Sequence, residues 1–275
     1  MKMLAGGTLR KMKTRLESPV SYKMSLGSDD IHLNPLVKKK IKLKYLGRIY
    51  CIHCGRKSNK SFNQGYCYPC FQKLAQCDSC IIHPEKCHFE QGTCREPVWG
   101  EKYCMQDHIV YLANSSGLKV GITRATQIPT RWIDQGAAQA LAIIRVRSRL
   151  QSGILETMFK QKLNDKTNWR NMLRGEPTPL DIAAESQFLI EEFKSEIDEV
   201  KDRFGIFSVS VLNGIRPVTI KYPVEEYPKN ITSFNFDKEP EVQGKLVGIK
   251  GQYLIFDSGV INLRRFSGYE IELSH

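Results

Sequence analysis

From Thr8 to Tyr50 apolar and basic residues tend to alternate, as in LRKMKTRL and KKKIKLKYLGRIY, with turn formers at Gly6-Gly7 and from Gly27 to Asp30. A period of two sends successive side chains to opposite faces, so two or more twisted strands with Lys and Arg outward are expected. The pattern changes at Cys51, and as far as Cys104 aliphatic residues are sparse and turn formers frequent. Such a segment buries too little apolar surface to fold alone, and metal binding would supply the missing free energy. The next stretch predicts a strand (109–113), a turn (Asn114 to Gly117), a strand (118–123), a helix (129–140), a strand (141–147) and a helix (151–164). Thr178-Pro179 then starts an expected acidic helix over 180–203, with Thr178 as N-cap and Gly205 as its stop. Ile182, Leu189, Ile190, Phe193, Ile197 and Val200 recur at helical spacing, the mark of a helix packed on one side. From Ile206 strand patterns return in FSVSVL, VTIKY, GKLVGIKGQYLIFDSGVINL and YEIEL. Asn213-Gly214, Lys250-Gly251 and Ser258-Gly259 punctuate them as turns. The last strands read as a small barrel or curled sheet, which the N-terminal strands are expected to complete.

These elements predict an α+β chain of several small units: a basic β-rich segment (1–50), a zinc-binding region (51–104), a central domain (105–175), an acidic amphipathic helix (176–205) and a β-rich, barrel-like domain (206–275). Charge separates them further. The chain has 41 Lys and Arg against 29 Asp and Glu, a net +12. Residues 1–50 carry 12 basic and 3 acidic side chains and residues 106–175 carry 11 and 4, whereas 176–203 carry 3 and 9. A basic front and middle suit a polyanionic partner, of which DNA or RNA is the commonest, and the acidic helix suits protein partners. No apolar run approaches the roughly 18 residues of a membrane span. The opening MKMLAGGTLRKMK lacks the apolar core of a secretion signal, so a cytoplasmic protein without a membrane partner is expected.

Nine cysteines in a reducing compartment read as metal ligands before disulfides. Cys51-x2-Cys54 and Cys67-x2-Cys70 are separated by 12 residues, each pair on a turn with Gly or Pro. This zinc-ribbon spacing presents four thiolates tetrahedrally to one structural Zn2+, a closed site without room for substrate. A second zinc would use Cys77, Cys80, Cys87 and Cys94, with Cys104 and His108 as an alternative closing pair.

Within the central domain Val110-Tyr111-Leu112, Lys119-Val120-Gly121, Arg131 and Glu156 follow one another on the strand, strand, helix, strand, helix order, with Asn168 beyond. Residues 108–171 thereby resemble the GIY-YIG nuclease family, especially its phage-type branch, whose second motif is often lysine-led. The resemblance implies a small three-layer core in which Tyr111 orients or deprotonates water, Arg131 holds the scissile phosphate and Glu156 binds one Mg2+ or Mn2+. Two positions depart from the family: Val110 replaces the first glycine and Val120 the second tyrosine. Lys119, Thr123 and Arg124, together with Asn168 and Arg170 of the DKTNWR string, offer contacts to nucleic acid. The Asp165, Lys166 and Trp169 side chains of that string, and Trp132, add further polar and stacking groups. The strings FNQGYCYPCF, GTCREPVWG, KVGITR and WIDQGA also resemble a bacterial family defined only as a domain of unknown function. Three readings stand side by side: a metal-dependent endonuclease, a non-catalytic DNA, RNA or ribonucleoprotein binding module, and a zinc-stabilised adaptor.

Overall fold

The computed structural model of the chain describes residues 1–163 and 167–275. Its first part holds β1 (Met3–Thr8), β2 (Lys13–Arg15), β3 (Ser21–Leu26), β4 (Asp29–His32), β5 (Lys40–Tyr50) and β6 (Lys57–Ser58). The cysteine-rich segment contributes α1 (Tyr68–Lys73) and α2 (Pro97–Cys104) between short single turns. Then come β7 (His108–Asn114), β8 (Leu118–Arg124), α3 (Thr130–Asp134), β9 (Gln139–Val146), α4 (Arg149–Phe159) and α5 (Trp169–Arg174). The chain closes with α6 (Ile182–Glu192), α7 (Lys194–Phe204), β10 (Val209–Val211), β11 (Val218–Thr219), β12 (Glu241–Lys250), β13 (Tyr253–Phe256), β14 (Gly259–Asn262) and β15 (Tyr269–Ser274). No helix among the described residues is long and apolar enough to cross a membrane.

The largest sheet is antiparallel in the order β1-β15-β5-β12-β13-β14, with β6 added on β5. Both ends of the chain therefore share one sheet: Gly7 pairs with Ile271, and Leu43 of β5 lies between Leu273 and Val242. The barrel-like unit is not found, because this sheet stays open. Its two edges are covered separately: Val260 of β14 exchanges 2.8 Å backbone bonds with Thr232 and Phe234, while Leu9, just past β1, bridges to Leu26 of the small β2-β3-β4 sheet. Covered edges remove the unpaired donors and acceptors that closure would otherwise satisfy.

The second sheet runs β8-β7-β9-β10, with β11 also on β9. Every residue of β7 is buried, so this strand separates two cores. Ile109, Tyr111 and Ala113 face the core that contains Trp132 and Ile133 of α3 and continues into the large sheet. Val110, Leu112 and Val120 face Leu155, Met158 and Phe159 of α4 and the apolar stripes of α6 and α7. Thus α3 and α4 cover opposite faces, and β8 is the sheet edge between them.

Several helix limits differ from the expected ones, and α4 already ends at Phe159 rather than continuing toward 164. Helix α3 stops at Asp134 because Gly136 adopts a left-handed φ of 72°, as glycine at a helix C-terminus commonly does. The acidic helix is capped by Asp181, whose Oδ1 accepts from Ala184 N at 3.0 Å. The Thr178 carbonyl instead accepts from Asn114 Nδ2 at 2.8 Å, which ties it to the end of β7. That helix also breaks at Phe193 into α6 and α7, although no Gly or Pro interrupts it. At the start of α4 a capping box joins Ser148 and Gln151, with Ser148 N donating to Gln151 Oε1 at 3.1 Å.

Candidate functional site

At the β8 edge lies an open cavity of about 560 Å³. Thr123 and Arg124 reach it from β8, Arg131 and Asp134 from α3, and Arg149 and Glu156 from α4. Lys11 and Arg264, from the two ends of the chain, complete the charged lining. Five cations therefore surround two carboxylates. Lys11 forms a close ion pair with Asp134, which also accepts from Gln252 Nε2 at 2.9 Å, and Glu156 accepts from Lys160, one helical turn on, at 3.2 Å. Among the described residues no carboxylate lies within 4.0 Å of Arg124, Arg131, Arg149 or Arg264.

The four guanidinium groups are held by neutral partners. Arg264 Nε donates to Gln64 Oε1 at 2.7 Å, and Arg124 lies 4.9 Å from the centre of the Tyr103 ring. Arg149 donates to the carbonyls of Ile81 at 2.5 Å and Cys80 at 3.4 Å. Burial, and after it the charge of Arg131, draws the Arg264 guanidinium below its ordinary pKa. Burial does the same to Arg149, against the opposing influence of Cys104, Cys80 and Cys87. Cations gathered at such a cost favour an anionic occupant with several oxygens.

Tyr111 serves Arg131 from behind. Its ring is fully buried, packed edge-on to Trp132, its phenol oxygen accepts from Gln135 Nε2 at 2.9 Å, and the charge of Arg131 acts on it. Burial pushes the phenol pKa up, and Arg131 and Gln135 only partly oppose it. The glycine opposite it in the strand pair, Gly121, has no space for a side chain, since a Cβ there would lie 2.6 Å from the Tyr111 oxygen. Val120 points to the other face, into the core under α4, and has no part in this arrangement.

Of the remaining sequence candidates, Thr123 and Arg124 line the cavity and Lys119, Asn168 and Arg170 do not. Lys119 is an interior residue that donates to Gln135 Oε1 at 2.5 Å and to the Thr167 hydroxyl. Asn168 caps α5 by accepting from Asn171 N at 3.2 Å, and Arg170 stacks 4.4 Å from the Trp169 ring centre. Trp169 itself stacks on Tyr253 at 5.7 Å and 9°, an internal contact. Asp165 and Lys166 lie outside the described residues.

The first cysteine quartet is assembled. The sulfurs of Cys51, Cys54, Cys67 and Cys70 all lie within 4.8 Å of one another, with Cys54 and Cys67 3.7 Å apart and no disulfide. Burial raises the Cys51 thiol, but the backbone amides of Cys54, Cys67 and His53 outweigh it and bring its pKa to about 6. Four convergent sulfurs, one of them predisposed to ionise, fit a structural zinc.

The extent of this architecture decides the family. A family model described as protein of unknown function (DUF2797) matches residues 38–271, from the central strand of the large sheet to its last strand. The chain belongs to the DUF2797 family. No curated protein and no solved structure matches it.

In this DUF2797 chain the second cysteine group is arranged differently from the favoured sequence assignment. Cys80, Cys87, Cys94 and Cys104 line one small pocket, from which Cys77 is absent. Cys77 is buried elsewhere, close enough to Tyr66 to influence that phenol together with Cys51. His108 is also elsewhere, its Nδ1 2.7 Å from Gln106 O and its ring held neutral, with burial bringing the pKa to about 4.

Sequence reasoning missed Lys11, Asp134, Arg149 and Arg264. Arg149 carried a weak signal, as the residue that follows an N-cap serine in RVRSRL. Asp134 lies in the WIDQGA string without having been singled out, and Lys11 and Arg264 sit in segments without a motif.

Proposed function

We propose that this DUF2797 protein binds nucleic acid, with the cavity at the β8 edge receiving backbone phosphate. One observation carries the reading: Arg124, Arg131, Arg149 and Arg264 meet in a single open cavity without carboxylate partners among the described residues. Guanidinium groups match phosphate oxygens two at a time, and each phosphate neutralised releases counterions. The net +12 charge, concentrated in the first 50 residues and around the cavity, would steer a polyanion toward it.

Hydrolysis is the second reading, favoured by a specific observation. Arg131 and Glu156 line the same cavity, in the order that resembles the GIY-YIG nucleases. In that reading Glu156 would hold a divalent ion, which would supply Lewis acidity and an activated water. Arg131 would hold the phosphate oxygens, and Tyr111 would position Arg131 from behind rather than touch the reacting atoms. A sealed phenol with a raised pKa is a poor base, which weighs toward binding over cleavage.

Binding and cleavage of a panel of DNA and RNA substrates, with and without Mn2+ or Mg2+, test both readings in wild type, Arg131→Ala and Glu156→Ala. Binding that weakens in Arg131→Ala supports the first. Metal-dependent cleavage abolished by Glu156→Ala supports the second. Wild-type binding in Arg131→Ala refutes the cavity as the phosphate site.

A further inference from the structure

We propose that Cys80, Cys87, Cys94 and Cys104 form a second structural zinc site, and that this site fixes the wall of the anion cavity that holds Arg149. All four residues line one small pocket of about 10 Å³, the scale of a single small occupant. They arrive from three separate pieces of chain. Cys80 comes from a single turn at 79–81, Cys87 and Cys94 flank a loop, and Cys104 ends α2. One wall is close, since a Cβ on Gly100 of α2 would stand 3.0 Å from Cys94 Sγ and 2.8 Å from the Phe89 ring, but the four sulfurs are not gathered within 4.8 Å as those of the first quartet are, so the ion would draw them together.

Asp78 and His88 are the competing ligands, since their donor atoms and Cys80 Sγ lie within 4.8 Å of one another. Both already have partners. Arg95 Nε lies 2.9 Å from Asp78 Oδ2, and Asp78 Oδ1 accepts from Ser79 N at 2.6 Å. His88 sets Nδ1 2.8 Å from the Thr93 hydroxyl and turns Nε2 toward Asp78 at 3.5 Å. Their bonds close a polar shell around the thiols, the kind of support that orients metal ligands. Cysteine thiols, weak donors and acceptors, gain far more from a thiophilic cation than from one another. On binding, each thiol would give its proton to solvent and each thiolate a lone pair to Zn2+.

The consequence reaches the cavity through two contacts. Arg149 donates to the carbonyls of Cys80 and Ile81, so the chain that carries a zinc ligand also holds a cavity arginine. Gly153 of α4 packs so closely on Pro84 and Glu85 that a Cβ there would stand 2.4 Å from Glu85 N. Helix α4, which bears Glu156, thus rests directly on the loop between Cys80 and Cys87.

Metal analysis and zinc K-edge absorption on the full-length protein test the assignment. Wild type should hold two zinc ions per chain, with an average shell of four sulfurs at about 2.3 Å. Cys77→Ser should keep both ions, whereas Cys94→Ser and Cys104→Ser should each keep one. One ion in wild type, an average shell that includes nitrogen or oxygen, or two ions retained in Cys104→Ser overturns the proposal. The wild-type absorption spectrum decides between these outcomes even where a variant fails to fold. Inorganic phosphate binding by Cys104→Ser, expected to fall at least several-fold, reads the link to Arg149, and unchanged binding overturns that link.

Discussion

Replacing Tyr111 by Phe removes one oxygen and leaves the ring in place, so it separates an anchoring phenol from a reacting one. The Tyr111 oxygen accepts from Gln135 Nε2 at 2.9 Å and stabilises the neighbouring Arg131 charge, in a site with no exposed surface and no space above Gly121. A neutral hydrogen bond contributes about 1 kcal/mol and one from a charged donor about 1.5–3 kcal/mol, with a further cost where a buried donor is left unmatched. Gln135 Oε1 keeps its bond from Lys119, but Gln135 Nε2 is left without its acceptor and Arg131 without the phenol oxygen beside it. Tyr111→Phe is therefore expected to lose about 2–4 kcal/mol of stability in urea denaturation. Freed from its anchor, Arg131 should bind phosphate about tenfold more weakly, equivalent to about 1.4 kcal/mol. Anisotropy of a labelled oligonucleotide reads that second effect. A variant with wild-type stability and affinity that has lost only cleavage would refute the anchoring role and make the phenol a reacting group.

Lys250 is fully buried among Tyr222, Tyr227 and the Gly175 carbonyl, 3.0 Å from Nζ, and burial lowers its pKa to about 8. The folded state then binds fewer protons than the unfolded one between about pH 8 and 10.4, so stability should rise with pH across that window by about 3 kcal/mol. Lys250→Met should flatten the rise in urea titrations, and an unchanged slope contradicts it. Gly121→Ala forces a methyl to within 2.6 Å of the Tyr111 oxygen and should cost about 1–3 kcal/mol of stability with weaker phosphate binding. Cys54→Ser removes one of four convergent sulfurs and should lower the zinc content by one ion per chain and expose residues 51–70 to protease. Retained zinc would show that the quartet is not a site.

The sequence made the central sheet readable because β7, β8 and β9 are apolar runs separated by unmistakable turn formers, such as Asn114 to Gly117. The first cysteine quartet was equally readable, since two CxxC pairs on one short ribbon fix their own geometry. What escaped depends on long-range packing. The break at Phe193 interrupts an unbroken helical periodicity, and it divides a helix that packs on β7 and β9 from one that packs on β10 and α4. Whether the large sheet closes depends on what covers β14 and β1, which no local pattern encodes. Cys104 is separated from Cys94 by most of a helix, so spacing could not place it in one pocket with Cys80, Cys87 and Cys94. Arg131 and Glu156 were nameable from their order along the chain, whereas Lys11 and Arg264 reach the cavity only because the chain ends share a sheet.

The central claim is that phosphate binds among the four arginines, and the salt dependence of nucleic-acid binding tests it most directly. The slope of log affinity against log salt should fall by about one for Arg131→Gln and again for Arg264→Gln, with affinity lost across all sequences alike. Slopes and affinities equal to wild type in both variants would contradict the claim.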